Sequence, residues 1–205
     1  MNKITEIRFV ATNYYNLQGL RSMPLSILLV LVCFWANGLQ YPISGKSWLI
    51  LVLEVLVSLA LFYGIDRYYL HSFGRVKRTP ESRRLEWLVS IVGGISALAA
   101  FWLDISFNLP LSLIGLVFGV SMLVDYIRIT WLVKGRHLLY YPIGSVLMLA
   151  ASVLPLLGLP GWWHTLGLRG QIFAIPMLIG VYSIIAGIWG HIYLVRTLSA
   201  KTEEK

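Results

Sequence analysis

An ionisable side chain within a long apolar run is costly, about 2.5–3.5 kcal/mol or more at the centre of a bilayer, so each one is a functional-site candidate. Glu54 is the deepest such group in this chain. It follows Ser47 by seven residues, and Ile50 to Leu59 around it are almost all apolar. At 1.5 Å per residue the carboxyl lies about 10 Å along its helix. Two roles fit that position. The carboxyl can carry a proton or bind a cationic substrate, or it can be a structural group hydrogen-bonded to a Tyr, a Ser or a backbone carbonyl.

Other polar residues stand near the ends of apolar runs. Asp125 and Arg128 are three apart on one helical face and can pair. Asp66 can reach the turn at Tyr69 or Leu70, and Arg67 can extend to the headgroups. His191 occupies a comparable depth in the last run, where a hydrogen-bonded packing role competes with a functional one. Asp104, ahead of Asn108 and Pro110, is placed to cap or to be solvated.

Motifs for other chemistry do not occur. There is no G-x-S-x-G, H-E-x-x-H, P-loop or G-x-G-x-x-G, so no catalytic residue is assigned, and without an ATP site the chain is not itself a primary pump. The histidines are not spaced to clamp a haem or metal within a bundle, and no cofactor is implied. The single cysteine, Cys33, reads as a small apolar packing residue.

The elements that hold these residues follow from hydropathy. The 205 residues are 58% hydrophobic and 13% charged, against about 25% charged in soluble domains. Mean hydropathy is +0.74. A soluble fold lacks the polar residues to cover that surface, whereas lipid needs none. Six runs approach the ~20 residues a spanning helix requires: 23–38, 47–69, 80–103, 110–132, 140–157 and 171–196. The expected fold is a single all-α membrane domain over 1–205. The first run has no small-x-small cleavage site after it and reads as a retained helix.

Charge then orients the spans. Of 17 Lys and Arg, all but Lys46 and Arg169 fall on the side that carries both termini, which the positive-inside rule assigns to the cytoplasm. The net charge of +8 would raise nucleic acid as a partner of a soluble protein, but its distribution assigns it to a membrane surface. The densest part is Arg75, Lys77, Arg78, Arg83 and Arg84, a candidate surface for anionic lipid or a protein partner. Trp35, Tyr41, Trp48, Trp102, Trp162 and Trp163 fall at the outer ends of the spans, and Tyr68, Tyr69, Trp87, Trp131, Tyr140, Tyr141 and Tyr193 at the inner ends, as amphipathic rings at headgroup depth should.

Residues 1–20 form a candidate interfacial amphipathic helix: Ile4, Ile7, Val10, Tyr14 and Leu17 recur at three- and four-residue steps. The spans read as three antiparallel hairpins, with Asp66-Arg67-Tyr68-Tyr69, Asp125-Tyr126-Ile127-Arg128 and His191 to Arg196 at the inner ends of the even ones. A triplicated hairpin and convergent interface chemistry both account for that similarity. Small residues predict close packing among spans three to six: Gly93, Gly94, Ser96 and Ala97 in the third, Gly115 and Gly119 in the fourth, and Ser183, Ala186, Gly187 and Gly190 in the sixth. The bulkier first two spans are left to face lipid or a partner. The connection 155–170, rich in Gly, Pro and Trp, reads either as an interfacial loop or as a partly re-entrant segment.

Two functions fit. One is a small permease or the membrane subunit of a transport complex, with an ATPase or another membrane subunit as partner. The six-span layout generally resembles that of membrane subunits of ATP-driven exporters, in layout only. The other is a non-transporting membrane partner (an assembly factor, sensor or regulatory anchor) that binds lipid or protein through its basic cytoplasmic face. A homo-oligomer is compatible with both, and a multi-pass protein of a bacterial inner membrane is the expected setting.

Overall fold

The computed structural model describes residues 14–38, 45–73, 80–107, 109–128, 130, 138–157, 161, 167, 168 and 170–199. Among these there are helices and no strand. The long ones are α1 (Met23–Gly38), α2 (Gly45–Phe73), α3 (Pro80–Phe107), α4 (Leu113–Ile127), α5 (Tyr140–Val153) and α6 (Gln171–Ser199). A helical turn at Tyr14–Leu17 and a 3₁₀ turn at Gly19–Arg21 precede α1, and the 3₁₀ turn Leu154–Leu157 extends α5. Five helical segments are long and apolar enough to cross a membrane by length and composition, and α4 is a shorter apolar helix. Several apolar helices of that length are compatible with a multi-pass membrane protein.

The helices lie over the six apolar runs, with two differences in extent. Helices α2, α3 and α6 have 29, 28 and 29 residues, about 42–44 Å each at 1.5 Å per residue. They exceed the ~30 Å hydrocarbon core, because nothing in their polar ends interrupts the helix. Conversely α4 has 15 residues, about 22 Å, where the expected run was 110–132. Its start is set by capping, Arg128 and Thr130 continue it with wider π-helical geometry, and residues 129 and 131–137 lie outside the described set. The Arg75, Lys77 and Arg78 surface, most of segment 1–20 and most of the 155–170 connection also lie outside it.

The chain forms two compact units, Met1–Val76 with Gly180–Lys205, and Lys77–Ile179. In the first, α1 packs against α2, and both touch the 3₁₀ turn Gly19–Arg21. Tyr69, Leu17 and Leu194 are its largest fully buried side chains. The Ser58 hydroxyl donates to the Pro24 carbonyl at 2.8 Å and ties α2 to the start of α1. Glycine is required where backbones meet: a Cβ on Gly187 would lie 2.6 Å from the Gly19 carbonyl oxygen, and one on Gly180 2.9 Å from that of Ser26. The small residues of α6 thus meet α1 and the turn before it. That corrects the expectation that close packing is confined to spans three to six. The Gly19–Arg21 turn and the start of α1 admit a helix backbone that bulkier side chains would exclude.

In the second unit, α4 packs against α3 and more extensively against α5. Gly115 lies against Ser152 and Ile175, and Gly119 against Leu149. The Ser145 hydroxyl donates to the Gly119 carbonyl at 2.8 Å. Gly93 and Gly94 do not take part: a Cβ on either would find nothing within 4 Å. Asp104 begins α4. Its carboxylate accepts from the Leu113 N–H at 2.8 Å, the Ile114 N–H at 3.1 Å and the Ser112 hydroxyl at 2.9 Å, while Ser112 Oγ accepts from Gly115 N–H. The first N–H groups of a helix have no intrahelical partner, and in a short helix near hydrocarbon the protein itself must supply one.

Candidate functional site

Helix α2 is mostly bare, and its covered residues carry the site. Ser47, Leu51, Glu54, Ser58, Ile65, Asp66, Tyr69 and Phe73 are buried or half-buried, and every other residue of the helix is exposed. These positions recur at three- and four-residue steps and their multiples, so they line one face. The apolar residues Leu49, Val52, Leu53, Leu56 and Leu59 face outward. A soluble helix has the opposite arrangement. Here the polar groups Glu54, Ser58, Asp66 and Tyr69 form a seam turned into the unit, about 22 Å from Glu54 to Tyr69.

Each member of the seam has a definite environment. Glu54 is half-buried, and its Oε2 is enclosed without a protein hydrogen-bond partner. An enclosed polar atom without a partner is uncommon enough to need an explanation. One turn on, Ser58 is engaged with Pro24. Asp66 Oδ1 lies 3.0 Å from Arg21 Nη2, not on the Tyr69–Leu70 turn expected for it, because the turn before α1 brings the guanidinium to it. The same guanidinium sits 5.2 Å from the Phe62 ring centroid. Arg67 folds back over Tyr63 and donates to its hydroxyl at 2.6 Å, where an extension to the headgroups was expected.

The seam ends at Tyr69, whose hydroxyl is 3.0 Å from His191 Nδ1 on α6. It also accepts from the Leu20 N–H at 3.4 Å. Tyr69 is 2% exposed, so its one hydroxyl serves both the backbone before α1 and the ring on α6. The Tyr68 ring packs 6.0 Å from the same histidine. Which of Tyr69 and His191 donates depends on the imidazole tautomer. Glu54, Asp66 and His191 therefore belong to one unit, the latter two near a common end.

No protein-family model, curated protein or solved structure matches the chain.

The remaining candidates stand elsewhere. Asp125 and Arg128 belong to the second unit, where Oδ1 and Nη2 are 2.9 Å apart, both side chains about one-third to two-fifths exposed. A half-exposed pair of that kind contributes little to stability. Arg84 is exposed on α3, and Arg83 lies on the same helix. Two partners in the seam were not foreseen from sequence. From sequence Arg21 counts only among the charges of the inner side, and Tyr69 as an interfacial ring. The signal available was the spacing of Glu54, Ser58, Asp66 and Tyr69, which places four polar residues on one face of an otherwise apolar helix.

Proposed function

We propose that this chain is a small permease, or the membrane subunit of a transport complex, in which Glu54 exchanges a proton or a cation along the polar face of α2. The observation that carries this reading is the enclosed, unpartnered Oε2 of Glu54 on the same face as Ser58, Asp66 and Tyr69. A structural carboxyl would be expected to have its lone pairs occupied. An exchanging site instead needs an acceptor left available to its cargo.

The fuller arrangement has six spans as three hairpins, preceded by an interfacial helix within 1–20. Both termini are cytoplasmic in a cell inner membrane, as supported by the concentration of Lys and Arg on one side. Arg75, Lys77, Arg78, Arg83 and Arg84 then form the docking surface for an ATPase or another subunit. The same basic surface favours a second reading, a non-transporting anchor or assembly factor in which Glu54 is structural. The two separate in liposomes. For a transporter, purified Glu54→Gln protein inserts and folds normally but loses proton or cation flux. Normal flux by that variant sinks the site assignment. A stoichiometric partner on mild-detergent purification, lost when the five basic residues are neutralised together, would make the chain a subunit.

A further inference from the structure

The first unit contains a groove of about 660 Å³ between α1 and α2. Leu25, Leu28, Val55 and Leu59 form apolar walls, and Arg21 and Phe62 also line it. The walls reach the outer surface of the helices, since Leu25 is 68% and Leu59 60% exposed. On a membrane helix those faces meet acyl chains. The Ser58–Pro24 hydrogen bond joins the two helices beside the groove, so the two walls are held to each other by a polar tie.

The end near Arg21 is charged in a specific way. The guanidinium is held by Asp66 at 3.0 Å and by the Phe62 ring face. Neither charged group is sealed: the side chains of Arg21 and Asp66 are 36% and 49% exposed. A guanidinium has five N–H donors and a carboxylate about four acceptor positions, so the ion pair leaves capacity on both sides. A purely anionic headgroup would gain Arg21 but be repelled by Asp66. A zwitterionic headgroup finds an opposite charge for each of its own.

We propose that this groove binds an aminophospholipid of the surrounding leaflet, with its phosphate on Arg21, its primary ammonium on Asp66 and one acyl chain along Leu25, Leu28, Val55 and Leu59. The ammonium must be a hydrogen-bond donor, because charge-assisted hydrogen bonds to a carboxylate are stronger than contact with a bulky quaternary cation. The site therefore discriminates phosphatidylethanolamine from phosphatidylcholine by N–H donors, and from phosphatidylglycerol by charge. This assignment does not depend on the transport reading.

The test is native mass spectrometry of the full-length protein in mild detergent with the three lipids added in equal amounts. Phosphatidylethanolamine should be retained roughly tenfold over each of the others, the ratio that one charge-assisted hydrogen bond sets. Asp66→Asn should invert the preference, lowering phosphatidylethanolamine and raising phosphatidylglycerol, which general loss of structure would not do. Val55→Trp leaves both charges untouched but fills the groove, and should reduce phosphatidylethanolamine retention at least as strongly. Equal retention of phosphatidylglycerol by the unaltered protein would overturn the proposal in favour of a plain cationic patch. An unchanged preference in Asp66→Asn, or undiminished retention in Val55→Trp, would also overturn it.

Discussion

Tyr69 and His191 are 122 residues apart in sequence, and their side chains meet at 3.0 Å. Since the same Tyr69 hydroxyl also takes the Leu20 N–H, one oxygen joins α2, α6 and the chain entering α1. Removing it leaves a backbone donor and an imidazole nitrogen to find other partners. We expect Tyr69→Phe to destabilise the protein by about 1–3 kcal/mol, read as a lower denaturant midpoint in mixed micelles. In a double-mutant cycle with His191→Gln, the two losses should sum to more than the pair. Additive losses would mean that the contact does not couple the helices.

The contact of Gly187 with Gly19 makes a second, contrasting prediction. A Cβ at Gly187 would press on backbone, 2.6 Å from the Gly19 carbonyl oxygen, and backbone yields less readily than a side chain. Gly187→Ala should cost about 1–3 kcal/mol, as overpacking does. Gly93→Ala and Gly94→Ala meet nothing within 4 Å and should be neutral or slightly stabilising, since alanine is the better helix former. Thermal melts of the three variants side by side decide whether a glycine on these helices signals contact. Equal melting temperatures would contradict the packing.

Asp104 accepts three hydrogen bonds at the start of α4. Asp104→Ala should therefore cost about 2 kcal/mol, the upper range for a lost helix cap. Asp104→Asn keeps one acceptor oxygen and should recover part of that loss. Amide hydrogen exchange at Leu113 and Ile114 reports the effect locally, and protection there in Asp104→Ala equal to that of the unaltered protein would exclude the capping role.

Glu54 should show an opposition between stability and activity. Replacing a half-buried carboxyl whose Oε2 is enclosed without a partner by leucine removes a polar group from an apolar run, a gain of up to about 2.5–3.5 kcal/mol for a group at bilayer depth. Glu54→Leu is expected to melt later than the unaltered protein and to carry no flux. A destabilised Glu54→Leu would instead identify the carboxyl as a structural acceptor.

Orientation can be read from the ends of α2. Lys46 and His71 stand at opposite ends of this 29-residue helix and both are exposed. In a chain with Cys33 replaced by Ser, Lys46→Cys should react with an impermeant maleimide from outside the cell, and His71→Cys only after permeabilisation. The reverse pattern would invert the proposed topology.

Much of the architecture is legible without coordinates because lipid imposes a one-dimensional rule. A spanning helix must be apolar over a fixed thickness, so runs such as that around Leu51–Leu61 are recognisable by length and composition alone. The pairing of Asp125 with Arg128 follows from helical geometry in the same way, since it depends on residues one turn apart. What the linear pattern does not contain is which helix faces meet. Small residues mark Gly187 and Gly93 alike as candidates for close packing, yet only Gly187 has a backbone against it. Arg21 and Asp66, Tyr69 and His191, and Ser58 and Pro24 are partners only because the helices are brought together, and the choice rests on steric fit between backbones and on satisfying polar groups that water cannot reach. Composition, hydropathy and spacing determined where the apolar helices run and that α2 carries one polar face; the tertiary structure alone decided what that face meets, because only the packed neighbours bring Arg21, Pro24 and His191 against Asp66, Ser58 and Tyr69.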